Sequence, residues 1–491
     1  MWLFYILQPV DNKNISRIRK KRIKMSLTDK CSIYTFDADI AIIGSGGGLA
    51  AAVAAAEKGI KNIAVIERQG LSGGNTRLAG DIFACESPVQ ERAGIKAGRD
   101  EYFRIAMRWA HWSRVDPRIV RAYINKTGDT IRWLEEKGVE FQDIVPYRGV
   151  TTHNAVGSNK QIFKVLSRKC EESGVKILLG TTAKKILRAE SGEINGVAVT
   201  NRDNEELRVM ARSIIIATGS FPGNVGLLRK YCPEYYDGMQ LGKWPYHTGD
   251  GLIMADEIGA GIADSIPMFH IGPVLEGGYW SRLAFLPYQP YMVWVNKKGK
   301  RFIDESWSTH WESGNAVILQ PEKTCYILFD EKIKQDLELN VPGFNMEIKK
   351  LEGEGEAAIA EDWCDIARWT GADPDVLINS IAEYNSECRK GRDEVFAKGR
   401  EYLTPLQKSP FYAVRAIAHC GETMGGIKVN ERMEVLDRSG KLIPGLFAAG
   451  VITDGWMPQT YCTEMFGSAC SYAINSGRIA GENAAEFLMK K

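Results

Sequence analysis

Residues 38–67, ADIAIIGSGGGLAAAVAAAEKGIKNIAVIE, restrict the fold of this chain more than any other stretch. Residues 38–43 are a short apolar, β-rich run of the kind that forms a buried parallel strand. Gly44, Gly46, Gly47 and Gly48, with Ser45 among them, then permit a tight turn and let bare backbone approach a diphosphate. The Ala-rich residues 49–58 read as a helix whose N-terminus points at that anion. Residues 63–66 form a second strand, and Glu67 ends it, where an acid accepts hydrogen bonds from the ribose hydroxyls of an adenosine. Leu49 stands where the usual third glycine would fall, so the turn reads as one residue shorter.

The segment LSGGNTRLAGD, residues 71–81, follows the ribose acid directly. In this order the motifs resemble the flavoprotein family of fumarate reductase, the succinate dehydrogenase flavoprotein subunit and the 3-ketosteroid dehydrogenases. The resemblance runs over roughly residues 38–485 and implies FAD as cofactor. It places Gly74, Asn75, Thr76, Ala79 and Gly80 beside the diphosphate and flavin, and adds Ala183. RSIIIATG (212–219) is a strand whose end, Thr218 and Gly219, closes over the cofactor in such enzymes. TGDGLIMADEIGAG (248–261) opens a helix with Asp250 as a further cofactor contact. IPGLFAAG (443–450) ends at Gly450, and the helix 466–485 sets Ser468, Ala469 and Cys470 against the flavin, its dipole favouring negative charge there. Val451 stands where many relatives carry a flavin-contacting glutamate. No histidine lies in 71–81, where the covalent relatives attach FAD, so noncovalent binding is expected.

The implied fold class is α/β: a Rossmann-like FAD-binding domain with an inserted α+β cap domain. With 491 residues, more than one core is expected. The divisions are an extension over 1–36, FAD-binding parts at 37–266 and 407–491, and a cap at 267–406. MWLFYILQPV at the start is apolar but too short to span a membrane, and the basic run 17–24 follows it, the reverse of a secretory signal. It reads as a disordered extension with Met25 as working initiator, or as a weak surface anchor. No other run reaches spanning length. A net charge of +2 argues against a nucleic-acid partner. Ten scattered cysteines without a Cys-x-x-Cys pair exclude the usual zinc, ferredoxin and c-type haem signatures, leave no metal site, and suit a reducing cytoplasm.

Between these landmarks, residues 99–114, 116–137 and 159–173 read as helices, and 176–179 and 184–187 as strands. Residues 193–200 and 206–209 form a hairpin around NRDN. In the cap, VNKKGKRFIDE (295–305) matches the family's hairpin, 330–354 is polar and charged, and 357–390 reads as helical. Aromatics crowd its first third, among them Phe269, Tyr279, Trp280, Phe285, Trp294, Phe302 and Trp307. They fit a flat apolar substrate pocket or ordinary cap core equally well.

The fumarate-type members of the family hold their substrate with arginines and histidines. Counted from shared segments, those places fall here at Thr309, Gly421 and Glu464, so cationic groups are gone and one carboxylate is added. Dicarboxylates are therefore unexpected. The remaining polar candidates are Tyr461, Glu464, His310, His419 and Glu422. Tyr461 resembles the proton-transfer tyrosines of the ketosteroid enzymes. Glu464 is an acid or a hydroxyl-binding group, and His310 a replacement for the lost arginine. An exposed tyrosine, a helix-start glutamate and a satisfied cap histidine are the plain alternatives. The expected activity is FAD-dependent reduction of an activated C–C double bond in a neutral, ring-bearing substrate such as a steroid or plant polyphenol. Desaturation of a ketosteroid-like substrate, or a noncatalytic flavin electron carrier, remains open. Electrons come from an external donor: NAD(P)H, free reduced flavin or a redox protein.

Overall fold

The computed structural model of the chain describes residues 34–144, 152–241, 247–275, 282–306 and 310–490. The extension assigned to 1–36 thus lies almost wholly outside the described residues. The chain enters through β1 (Tyr34–Asp37), β2 (Ile40–Ile43), α1 (Gly46–Glu57) and β3 (Ile63–Glu67). Every residue of β2 and β3 is buried, which is why both read as unbroken apolar runs and not as alternating ones. α1 begins at Gly46, earlier than the Ala-rich run suggests, so the glycines themselves form its first turn.

Next come α2 (Pro88–Arg92), α3 (Arg99–Trp109), α4 (Pro117–Glu136) and α5 (Lys160–Glu172). Asp116 caps α4 by accepting from the Arg118 amide, with Pro117 in the first turn. α3 stops at Trp109, short of the expected 114, because His111, Trp112 and Arg114 take left-handed φ values of 48°, 55° and 57°. β4 (Lys176–Leu179), β5 (Thr182–Arg188), β6 (Ile194–Thr200), β7 (Glu206–Met210) and β8 (Ser213–Ile216) follow, with the β6–β7 hairpin antiparallel as expected.

The remaining elements are α6 (Val225–Tyr231), β9 (Gln240–Leu241), α7 (Asp250–Glu257), β10 (Met268–Val274), β11 (Val293–Val295) and α8 (His310–Ile318). After them come β12 (Thr324–Asp330), α9 (Glu331–Asn340), α10 (Phe344–Gly353), β13 (Ala357–Ala360), α11 (Trp363–Thr370) and α12 (Pro374–Lys390). β14 (Phe411–Thr423), β15 (Glu434–Leu436), β16 (Leu442–Ala448) and α13 (Ser468–Met489) close the chain. β13 corrects the helical reading of its residues: alanine favours helix, but the edge of β14 offers Ala357–Ala360 an antiparallel ladder.

Among the described residues three sheets result. The order β15-β16-β8-β2-β3-β4 is parallel from β16 through β4, the doubly wound core of the α/β class. β1, β7, β6 and β5 form a smaller sheet. The third runs β10-β14-β12-β11, with β13 and β9 also on β14. A boundary at 407 would give β14 to the FAD-binding part, yet β14 is the spine of this third sheet. Its Ala418 belongs to the cap core and its Cys420 to the core of the doubly wound part, so one strand crosses from one to the other. The VNKKGKRFIDE hairpin is present: Val295 bridges Arg301, and Asn296 Oδ1 accepts from the Lys298 and Lys300 amides at 2.9 and 3.2 Å. Arg301 there pairs with buried Glu305 and Asp393, each at 2.9 Å.

Candidate active site

A cleft of about 390 Å³ opens at the carboxyl ends of β2, β3 and β8, the crevice where doubly wound sheets take ligands. Gly44, Ser45, Gly46 and Gly47 form its floor. Gly44 has φ +95°, and a Cβ there would stand 2.8 Å from the Ala217 carbonyl carbon. A Cβ on Gly47 would strike the Ala473 carbonyl, its carbon 3.2 Å away, so the backbone there must stay bare, while one on Gly46 would meet only Thr76 Oγ1, at 2.7 Å. Gly48 does not line the cleft; its missing Cβ would press on Ile42 Cγ2 at 2.8 Å, which makes it the helix-to-strand packing residue.

Glu67 is buried at the end of β3. Its Oε2 accepts from the Ser45 amide at 3.1 Å and from the Ser45 hydroxyl, and its Oε1 accepts from the Gln69 amide at 2.7 Å. Ser45 Oγ in turn accepts from the Gly73 amide at 2.8 Å. A carboxylate has about four acceptor sites, so capacity remains for a ribose hydroxyl. Arg68 pairs with Asp250 at 2.9 Å and donates to Thr248 Oγ1 at 2.9 Å. His247 meets Asn75 and Ser220: Asn75 Nδ2 only donates, so Nε2 accepts and the ring proton sits on Nδ1, 3.3 Å from Ser220 Oγ. Burial, then the Arg68 charge, pushes His247 down to about 4, which keeps it neutral.

Gly74, Asn75, Thr76, Ala79, Gly80, Ala183, Thr218, Gly219, Asp250 and Gly450 all line the cleft. So do Ala469 and Cys470, in the first turn of α13, which starts from Gly467 at φ +84° without a side-chain cap. Its N-terminal amides therefore favour an anion. Ser468 is off the wall, buried, with its hydroxyl on the Met465 carbonyl. The cleft thus offers a bare-backbone phosphate cradle, a ribose acceptor and a helix N-terminus. That donor set fits FAD.

At the α13 end the wall is Phe269, His419, Gly421, Glu422, Val451, Tyr461 and Phe466. Tyr461 and Phe269 pack with ring centroids 4.7 Å apart at 34°. The Tyr461 oxygen accepts from the Ala469 amide at 2.9 Å, and burial pushes the phenol well up. Burial pushes Glu422 up to about 7, and burial with nearby His270 pushes His419 down to about 4. Glu464 sits exposed on the turn Thr463–Met465, outside the cleft, so the geometry does not join it to Tyr461. His310 begins α8, but its side chain, like Thr309, lies outside the described residues. The aromatic crowd divides: Phe269 reaches the cleft, Trp294 is cap core with Phe285 and Phe302 packed against that core, and Tyr279, Trp280 and Trp307 are outside the described residues.

Sequence reasoning missed Asp81 and His247 as wall residues. Asp81 Oδ1 accepts from Thr152 at 3.0 Å and Asn154 at 3.1 Å, and burial raises its pKa. The signals were adjacency alone: Asp81 closes LSGGNTRLAGD and His247 precedes TGDG. Among the described residues no helix is long and apolar enough to cross a membrane.

Comparison with known proteins agrees with this geometry. The family model for an FAD binding domain matches residues 39–462. A vinyl phenol reductase of Lactiplantibacillus plantarum is 29% identical over 490 residues, covering 91% of this chain and 96% of that protein. The open conformation of a flavocytochrome c3 fumarate reductase superposes with a TM-score of 0.72 at 26% identity, covering 92% of this chain and 79% of that one. A 3-ketosteroid-Δ4-(5α)-dehydrogenase from Rhodococcus jostii RHA1, in complex with 4-androstene-3,17-dione, shares the fold with a TM-score of 0.71 at 21% identity over 92% and 97% of the two chains.

Proposed function

This chain belongs to the FAD binding domain family and is an FAD-dependent oxidoreductase acting on CH–CH groups, and on that premise we propose that it reduces an activated carbon–carbon double bond in a neutral, ring-bearing substrate. One observation carries the reading. Among the described residues of the cleft wall the only lysine or arginine is Arg68, and Asp250 holds it in an ion pair. His247 and His419 are kept neutral by burial. A dicarboxylate would find no charge-assisted donor there to replace its water. The similarity to an enzyme named for vinyl phenol, a neutral ring compound, supports the same class.

Bound FAD supplies the hydride chemistry. Tyr461 gives the proton to the neighbouring carbon: its oxygen is fixed by the Ala469 amide, and its high pKa keeps the proton on the phenol until charge develops on the substrate. Phe269 and Tyr461 provide a flat apolar wall that orients a ring and excludes water. Glu67, Ser45 and the glycine turn hold the adenosine and diphosphate. FAD is held noncovalently, since residues 71–81 contain no histidine and His247 already bonds to Asn75. An external donor supplies the electrons. The nine free cysteines among the described residues suit a cytoplasmic location.

The test is anaerobic. Photoreduced holoenzyme is mixed with 4-vinylphenol, a Δ4-3-ketosteroid or fumarate while flavin reoxidation is followed. A ring compound is expected to reoxidise the flavin, and fumarate to fail at millimolar concentration. Tyr461→Phe is expected to slow the reaction by about 10²-fold or more with FAD content unchanged. Efficient fumarate turnover would overturn the reading.

A further inference from the structure

Nearly every charged or strongly polar side chain on the cleft wall already has a partner. Glu67 accepts from Ser45 and Gln69, Asp250 from Arg68, Asp81 from Thr152 and Asn154, and the Tyr461 oxygen from Ala469. Glu422 is different. It stands near the end of β14, opposite Phe269 of β10, on the same wall as Tyr461, and Gly421 before it adds no side chain to fill the space. Its carboxyl oxygens have no hydrogen bond or ion pair with any described residue, and burial is the one influence on its proton affinity. The groups around it bring no compensating charge. His419 is neutral above about 4, Tyr461 and Cys420 are held protonated by burial, and burial raises Cys470 to about 12.

Glu422 is half-buried on the cleft wall, so its carboxyl faces the cleft with acceptor capacity that no described residue uses. We propose that Glu422 is the substrate-recognition group of this site, its carboxylate accepting the hydrogen bond of a hydroxyl carried by the ring substrate. The inference rests on the proposed reductase activity and names the substrate class within it: hydroxylated ring compounds such as phenols or sterols, in preference to rings without a donor or with a carboxylate. A ring seated over this acceptor covers it, so an analogue that lacks the donor leaves the acceptor covered and unpaired and binds less well. A substrate carboxylate is rejected by like charge. Glu422 takes here the hydroxyl-binding part that was one of two the sequence offered for Glu464, which stands exposed outside the cleft.

The experiment titrates oxidised, FAD-loaded enzyme with 4-vinylphenol, styrene, 4-methoxystyrene and 4-coumarate, reading binding from the flavin absorbance change. Wild type is expected to bind 4-vinylphenol at least about 10-fold more tightly than styrene or 4-methoxystyrene, since a charge-assisted hydrogen bond is lost with either. 4-Coumarate is expected to bind more weakly still. Affinity for 4-vinylphenol is expected to rise from pH 6 to pH 8 as Glu422 ionises, and that rise is expected to vanish in Glu422→Gln and Glu422→Leu. Glu422→Leu is also expected to keep its FAD and bind styrene and 4-vinylphenol alike. Equal wild-type affinities, discrimination that persists in Glu422→Leu, or binding of 4-vinylphenol that strengthens toward low pH would each overturn the proposal. If 4-vinylphenol and styrene reoxidise the reduced flavin without discrimination, the reductase reading stands and this inference alone fails. If fumarate alone does so, both fail.

Discussion

The cofactor cradle depends on two helices that touch through backbone, and a single methyl group tests that dependence. α13 crosses α1 with Gly477 against the Gly47 peptide. A Cβ on Gly477 would stand 3.0 Å from the Gly47 carbonyl carbon and nearer still to its oxygen. Carbon atoms pack at about 3.5–4.0 Å, so Gly477→Ala must push the helices apart by several tenths of an ångström. Gly481 repeats the contact one turn on, where a Cβ would meet the Ala51 carbonyl carbon at 2.8 Å, so the helix cannot pivot away on that side. Overpacking of this kind costs about 1–3 kcal/mol, against which alanine in a helix returns roughly 0.5–1 kcal/mol. A net loss of about 1–2 kcal/mol is expected in urea unfolding. Because Gly46 and Gly47 floor the cleft, FAD affinity falls with it, by about tenfold for each 1.4 kcal/mol transmitted to the cradle. Gly353→Ala, the same chemical change at the exposed end of α10, meets no atom within 4 Å and is expected to gain about 0.4–1 kcal/mol. A Gly477→Ala protein as stable as wild type, with full FAD after gel filtration, would refute the close-packing argument.

Two further outcomes follow from the site. Glu67→Ala removes the acceptor of the Ser45 and Gln69 amides together with that of the ribose, and is expected to weaken FAD by about 1.5–3 kcal/mol, read as flavin fluorescence released on dilution; retention equal to wild type would remove Glu67 from the cofactor site. Acid is expected to destabilise the fold between about pH 6.5 and pH 4. His153, His247 and His419 are each pushed down to about 4 by burial, so the folded state holds them neutral while the unfolded chain binds protons near pH 6.5. Their contribution is complete above that range and is lost as pH falls through it, by up to about 3 kcal/mol for each ring. Glu422, pushed up to about 7, and the carboxyls of Asp81 and Asp454, raised by burial, act in the opposite direction and reduce the slope. Urea midpoints at pH 7, 5.5 and 4.5 measure the slope, and a flat profile would show that these rings are solvated.

Much of the cofactor half was legible because its requirements are local. Gly44 and Gly47 are needed for the backbone a Cβ would strike, and β2 and β3 for burial on both faces, and each leaves a mark within a few residues. Asp116 and Pro117 announce the start of α4 in the same way. β14 left no such mark. Its partners β9, β10, β12 and β13 come from distant parts of the chain, so neither its place at the centre of the third sheet nor the strand at Ala357–Ala360 is written in local propensity. The stop of α3 at Trp109 likewise depends on left-handed residues that carry no glycine to betray them.

The same distinction separates the two acids near the substrate end. Glu422 and Glu464 are the same residue type, both close to positions where the resembling enzymes hold substrate, and the sequence gives no ground for ranking them by chemistry. What ranks them is the crossing of β14. The strand leaves the cap core at Ala418 and enters the doubly wound core at Cys420, and its last residues are thereby laid across the cleft. Glu422 is half-buried on the cleft wall and has no side-chain partner among the described residues, whereas Glu464 is exposed on a turn outside the cleft. A change of substrate at this end therefore requires only new side chains on an unchanged strand, while the glycines of the cradle, constrained by backbone contact, cannot change with it. The FAD cradle is therefore the part of the cleft that local sequence announces, and the side chains at the β14 end, Glu422 among them, are the part that it does not rank.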